Sequence, residues 1–405
     1  MKSLTLSFEV HQPHRLREDG VKEDADTLHE RYFDNELNKR FFEDVTENCY
    51  LPATRRLLEA ARDLEEQGER PRVNFSVSSS WIEQAKKYRP ELLELLNSFP
   101  EDTIEFIGQT HYHSMAVFLE EKEEFRRQLR THSQIIQEEF GQKPTVMTNT
   151  ELIYNNSIGR IASEEGFEGV FTEGTQRILG WRSPNHIYTQ PDFETEEGTA
   201  VLLRNRRLTD DVGYRFSRKD WEEYPLTAEK YTSWLSAEDG DVVNLFMDYE
   251  TFGEHHWKGT GILDFLEELP RKIAGQKDLR FMSASEAVRN HPPVGEFDAF
   301  RYNTVSWADR EMDETAWLGN RMQKEIFKKL QDTGGKVKRL DEEEVTEVWR
   351  KLLTSDHLHH IATKKDTDES VHSYFSYFDS PQQGFKVIME HIRDFDSQVS
   401  EKLRK

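Results

Sequence analysis

Cysteine is nearly absent: Cys49 is the single one in 405 residues. That excludes a disulfide framework and a thiolate metal centre. Long apolar runs are also missing, and nothing approaches the roughly 20 consecutive apolar residues of a membrane-crossing helix. The first residues, Met1 to Val10, carry Glu9 and lack the apolar centre of a signal peptide, so a soluble cytoplasmic protein is expected. Positive charge is scarce: 54 Lys and Arg against 77 Asp and Glu leave a formal net charge of −23. Nucleic acid and anionic membrane surfaces are disfavoured as partners. A neutral, polyhydroxylated ligand is not repelled. There is no phosphate-cradling glycine loop, internal repeat or low-complexity run.

Aromatics are plentiful: 25 Phe, 13 Tyr and 8 Trp can stock a core and still leave rings for a binding cleft. The length suits one barrel-sized domain plus a smaller one. Short runs rich in β-favouring residues fall at 4–10, 73–77, 103–107, 144–148, 169–172, 200–204 and 242–247, with one more at 279–282. Helical periodicity occupies 53–67, 82–96, 119–140 and 155–165. Strands alternating with helices make an α/β fold with parallel βαβ units, either a barrel or a doubly wound sheet. In all seven main runs a polar cluster sits just past the C-terminal end. A shared rim explains that recurrence, and a shared rim is the barrel expectation.

Residues 14–72 read as a helical insertion between the first two strands. After Pro292-Pro293 the pattern changes to helices at 312–333, 341–355 and 381–403, punctuated by Gly334-Gly335 and Ser380-Pro381. The expected division is a catalytic region at 1–295 and a helical bundle at 296–405 that completes the cleft.

Glu151 and Asp248 each stand just past a strand at nearly equivalent depth. Two carboxylates facing each other across a barrel mouth are what glycoside hydrolysis needs, one at the anomeric carbon and one protonating the departing oxygen. Any one acid at a strand end is as readily a salt-bridge or capping residue. His11, His111, His113, His255 and His256 form a rival signal. His-x-His on an extended segment points both rings the same way, which suits zinc, so a metal-dependent barrel hydrolase or deacetylase is the competing class. Trp81, Tyr112, Tyr154, Phe252, Trp257, Trp307 and Trp317 could stack on sugar rings or simply pack. Trp307 beside Asp309 is the more pointed arrangement.

Five stretches resemble the signature regions of glycoside hydrolase family 57, which holds amylases, glucanotransferases and branching enzymes. They are His11-Gln12-Pro13, the run from Gly108 to Ser114, the run from Asn149 to Asn156, the run from Met247 to Trp257, and Ser306 to Asp309 continuing to Trp317-Leu318-Gly319-Asn320. The likeness is to the α-amylase-like members and spans almost the whole chain. It implies a (β/α)7 barrel, an incomplete relative of the TIM barrel, followed by an α-helical bundle. It further implies retaining chemistry and no required metal or other cofactor. By position Glu151 corresponds to the nucleophile and Asp248 to the general acid/base, while His11 and Trp307 fall at substrate-site positions. Gln12, His111, His113, Tyr154, Glu250, His255, Trp257, Asp309 and Trp317 stand in the same stretches and complete the expected substrate-binding set. His111 departs from the pattern, standing where many amylase-like relatives carry Tyr. The expected activity is hydrolysis of α-1,4-glucosidic bonds in starch- or glycogen-type glucans. A 4-α-glucanotransferase on the same scaffold and a catalytically silent glycan-binding protein are the alternatives.

Overall fold

The computed structural model describes residues 1–191, 198–364 and 376–405. Among these residues nine strands are formed: β1 (Lys2–Val10), β2 (Val73–Val77), β3 (Ile104–Ile107), β4 (Val146–Thr148), β5 (Gly169–Glu173), β6 (Ile187–Thr189), β7 (Ala200–Arg204), β8 (Val242–Asp248) and β9 (Leu279–Phe281). Seven of them run parallel in the order β3-β2-β1-β8-β7-β5-β4. The two ends of that row meet at Gly108, whose N–H donates to Val146 O at 2.9 Å and whose carbonyl accepts from Thr148 N–H at 2.8 Å. A Cβ at Gly108 would lie 2.8 Å from the Phe167 ring, so closure there depends on glycine. This is a seven-stranded barrel, as expected from the sequence.

Two strands sit off the ring. β9 pairs with Lys2, Ser3 and Leu4 of β1, below the part of β1 that pairs with β2. β6 runs antiparallel to β7, and Asn185 just before it accepts from the N–H groups of Asp241 and Val242. It bridges the lower halves of β7 and β8, whose direct pairing is confined to Arg204 and Asn244. Three residues of ordinary alternation gave β6 no sequence signal strong enough to find it.

The strands sort their side chains by parity. Leu4, Leu6 and Phe8 of β1 pack outward in one cluster with Phe42, Leu57 and Ile262 of the surrounding helices. Ser3, Thr5, Ser7 and Glu9 are equally buried, on the other face. There Thr5 donates to Asn244 Oδ1 at 2.8 Å and Asn74 donates to Ser7 Oγ at 3.0 Å. Val146, Phe171, Leu202 and Phe246 fill the rest of the interior. The helix Ala284–Asn290 closes the N-terminal end, its first N–H donating to Asn74 Oδ1 at 2.9 Å.

The C-terminal helices Arg321–Leu340, Glu343–Leu352 and Pro381–Lys402 form the helical region. They share one apolar cluster with barrel-flanking Leu129, Ile158 and Phe167 and with Tyr32 and Phe33 of the insertion. Arg31 and Tyr32 fasten the insertion to the last helix through Asp394, at 2.7 to 2.9 Å.

Some helix boundaries differ from the sequence expectation. The segment 82–96 is two helices, Ser79–Tyr88 and Glu91–Leu96, because Arg89 precedes a proline and takes an extended φ of −146°. The helix expected at 119–140 starts at Glu123, after a 3-10 turn at Ala116–Phe118. Gly334-Gly335, read as punctuation, lies inside a continuous helix. A Cβ on Gly334 would come within 2.3 Å of the Trp349 ring, whereas one on Gly335 meets nothing within 4 Å. The first glycine is there for close packing, not for a break. Gly334→Ala should therefore cost about 1–3 kcal/mol through overpacking, while Gly335→Ala should be neutral or gain up to about 1 kcal/mol. Urea unfolding midpoints of the two variants measure this; equal shifts would refute the packing role.

Candidate active site

The last inward-facing position of strand after strand is polar: Glu9 on β1, Glu173 on β5, Arg204 on β7 and Asp248 on β8. Ser78 and Gln109 continue the layer just past β2 and β3. Glu9 and Asp248 of this layer line a cavity of about 410 Å³ at the C-terminal end of the barrel. Loops after the strands and the short helix Ser355–His359 form its walls.

Glu151 follows β4 on a single helical turn and has φ +60°. His113 (φ +50°) and Asp309 (φ +56°), also in the cavity wall, share the left-handed backbone that side chains rarely adopt. Such strain persists where surrounding contacts over-determine the conformation, and it collects at functional sites. Those contacts are visible for Glu151. Its Oε2 accepts from Trp307 Nε1 at 2.8 Å and its Oε1 from Ser355 Oγ at 3.0 Å. His113 Nε2 lies 3.5 Å from Oε1. Burial alone would raise the Glu151 pKa, yet His113, with help from Trp307, holds it below the ordinary value.

His113 is itself built to carry charge. Burial opposes protonation, but Glu151 on one side and Glu9 on the other lift its pKa to about 9. Its Nδ1 is 3.5 Å from Glu9 Oε1 and 3.0 Å from Gln109 Oε1, and Gln109 donates to Glu9 at 2.9 Å. His11 stacks on His113 with ring centroids 4.3 Å apart and bonds Asp356 Oδ2 at 3.0 Å.

Asp248 responds in the opposite sense. Burial first, then the neighbouring charges of Glu151 and Glu9, raise its pKa to about 7. Glu9 rises to about 7, chiefly by burial, and Glu250 to about 8, by burial and then by Asp248. Tyr50 donates to Glu250, and Gln12 donates to Tyr50 at 3.2 Å. The cavity thus holds carboxyls displaced both ways, Glu151 and Asp356 toward ionisation and Asp248, Glu9 and Glu250 toward the protonated form. That is the split that two-carboxyl acid/base chemistry requires.

Arg204 braces the wall between them. It donates to Glu173 and Asp210, each at 2.7 Å, and to Phe246 O at 2.8 Å, with the Trp307 ring 5.9 Å above its guanidinium. Trp307, which bonds Glu151, is thereby fixed from below.

Comparison with known proteins decides the family. Residues 5–300 match the sequence profile of glycosyl hydrolase family 57. The chain belongs to that family. A relative from Methanocaldococcus jannaschii, named provisionally as an alpha-amylase, is 42% identical over 411 residues, covering 99% of this chain and 86% of its own length. Among solved structures, a 4-alpha-glucanotransferase from Thermococcus litoralis aligns over 97% of this chain with TM-score 0.70 at 15% identity, and the chain spans 60% of that enzyme's length. A branching enzyme of family 57 from Thermococcus kodakaraensis gives TM-score 0.69 at 14% identity, covering 97% of this chain and 89% of that one. At such identities the structural likeness speaks for the fold alone.

Of the residues expected from the family 57 motifs, Glu151, Asp248, His11, Gln12, His113, Glu250, His255, Trp307, Asp309 and Trp317 all line the cavity. Three do not. His111 is buried beside Tyr112, with Nε2 3.4 Å from Glu347 on the helical region. Its pairing with His113 assumed an extended segment, but His113 N–H donates to Thr110 O in a turn that sends the two rings apart. Tyr154 is fully buried under the rim, bridged to Val305 and packed near Phe297. Trp257 is 63% exposed on an outer turn. His256 bonds Ser217 Oγ at 2.7 Å and the carbonyl of Val212 at 2.9 Å and is structural.

Sequence reading missed Glu9, Arg15, Ser355, Asp356, His359 and His360 as parts of the site. Glu9 carried a signal, an acid inside an otherwise apolar alternating strand. Asp356 carried none in spacing or periodicity, because its helix meets the barrel only in three dimensions; Ser355-Asp356-His357, like Ser376-Tyr377-Phe378, resembles the family's helical part without showing a place in the site. Among the described residues, no group of three or more His, Cys, Asp or Glu side chains is arranged to hold a metal ion. No helix among them is long and apolar enough to cross a membrane.

Proposed function

We propose that this family 57 glycoside hydrolase is a retaining α-amylase cleaving α-1,4-glucosidic bonds in starch- or glycogen-type glucans. The observation that carries the reading is the opposed displacement of two carboxyls in one cavity, Glu151 held ionised and Asp248 held protonated up to about pH 7. Glu151 attacks the anomeric carbon while Asp248 protonates the departing glucose oxygen, leaving a β-linked glycosyl-enzyme. Asp248, now ionised, takes a proton from water as that water attacks. The product has the α configuration, and Asp248 is protonated again. His113 and Trp307 hold the nucleophile's charge and direction throughout. Trp307, half-buried at the cavity wall, offers an apolar face to the sugar rings.

Incubation with soluble starch tests this directly. We expect a spread of shorter maltooligosaccharides released with the α-anomer in excess at early times, and activity that survives dialysis against a chelator. Conversion of maltotriose into longer chains without net reducing ends would favour a glucanotransferase. Loss on chelation with recovery on zinc would favour a metal hydrolase.

The pH dependence follows from the same shifts. Asp248 must be protonated in the free enzyme, so kcat/KM should fall as pH rises through about 7. Glu151 must be ionised, so the acid limb should lie below the ordinary glutamate range. Because Glu9 and Glu250 titrate close by, the upper limb belongs to the coupled acids and not to one group. A flat profile between pH 6 and 9 would contradict the assignment of Asp248.

A further inference from the structure

Among the described residues large apolar side chains are seldom left bare, and four of those that are lie on two segments joined to each other. Trp181 is 95% exposed, Tyr302 81%, Phe300 59% and Val294 56%. They lie on two segments, the turn at 180–182 and the loop at 294–304, which arginines fasten together. Arg182 donates to Glu296 O at 2.6 Å, and Arg177 donates to the side chain of Asn303 and to Thr304 O at 3.2 Å. Arg182 also holds its own turn through Leu179 O and Ile178 O, each at 3.1 Å. The rings are thus presented on braced backbone, not on loose ends.

The loop pairs first with β6, through Val294, Gly295 and Phe297, and from Ala299 on runs along the barrel end that holds the cavity. Val305 pairs with Tyr154, and Asn156 N–H donates to Ala299 O at 2.8 Å, both just beyond Glu151. A few positions past Tyr302 the same loop supplies Trp307, Ala308 and Asp309 to the cavity wall. Tyr302 and Trp307 can be separated by at most about 18 Å of chain. Phe300 and Tyr302 meet edge-on at 61° with centroids 5.7 Å apart, and the Arg301 guanidinium lies 5.0 Å over one face of Tyr302, so the rings are held in place while most of their surface stays in solvent.

We propose that Trp181, Phe300 and Tyr302 form a second carbohydrate-binding surface on which a glucan polymer lies outside the cavity. The inference rests on the α-glucan reading above and extends it to the form of the substrate, long chains in preference to short ones. Exposed aromatic faces bind sugar rings by apolar contact. The net charge of −23 disfavours polyanions, whereas a neutral polymer meets no such barrier. Continuity of the loop with the cavity wall lets one chain touch both.

Electrophoresis in native gels containing glycogen tests the surface without reading catalysis, with every protein carrying Glu151→Gln so that the polymer stays intact. The single variant should be retarded. Adding Trp181→Ala and Tyr302→Ala should weaken that retardation by about tenfold in apparent Kd, roughly 1.4 kcal/mol. In the otherwise native enzyme the same pair should leave kcat/KM on maltotetraose within about twofold and the unfolding midpoint unchanged, since both side chains stand in solvent. Undiminished retardation of the pair variant overturns the proposal. So does a change in its sedimentation from dimer to monomer with retardation unaltered, which would make a second copy the occupant. If glycogen fails to retard the starting protein while maltotetraose is cleaved, the surface falls and the α-amylase reading stands. If neither occurs, both fall.

Discussion

Glu151→Gln is expected to leave the fold intact and reduce kcat on starch by on the order of 10⁴-fold or more, since in the proposed mechanism no glycosyl-enzyme forms without Glu151. The loss should be almost independent of the leaving group. An aryl α-maltooligosaccharide, whose phenolate departs without protonation, should be cleaved no better relative to the native enzyme than starch is. The amide keeps an oxygen to accept from Trp307 or Ser355, so the fold should be retained, at some cost in stability from the lost charge opposite His113. Near-native turnover of the aryl substrate by Glu151→Gln would remove Glu151 from the nucleophile's place.

Asp248→Ala is expected to behave differently with the two leaving groups. On starch the glucose oxygen must be protonated, and general acid catalysis contributes typically about 10²–10⁴-fold, so turnover should fall by that factor. On the aryl substrate the first step needs no acid. A burst of phenolate should appear, followed by a stall while water attacks the glycosyl-enzyme without a base. Azide needs no base and should restore turnover. Because it displaces Glu151 from the β-linked intermediate, the product should be the α-glycosyl azide. In a Glu151→Ala variant azide would instead stand in for the missing nucleophile and yield the β-azide. The reverse pair of products would mean that the two carboxyls have exchanged roles.

The fold was legible because its signals are local. The seven ring strands and most helices fell near their expected places, since each is a run of about one residue type and period, set by backbone geometry. The exceptions are also instructive. Gly334 looked like a helix end because glycine usually marks one, and only the Trp349 ring packed against it explains a glycine within a helix. β6 was missed because three residues in an antiparallel strand owe their conformation to β7 rather than to themselves.

Sequence by itself determined which acids, histidines and indoles come at or just past the strand ends, with Glu151 and Asp248 following separate strands. What it could not determine is which of those side chains face one another. His111 and His113 differ by two positions, yet a turn sends one toward Glu347 and keeps the other between Glu9 and Glu151. Asp356 and Ser355 reach the site from a helix some 200 positions beyond Glu151, a contact no periodicity encodes. The protonation states were out of reach for the same reason. A pKa depends on burial and on charges within a few ångströms, and both are properties of the closed barrel. Only there does burial beside Glu151 and Glu9 raise Asp248 to about 7, while His113 keeps Glu151 ionised.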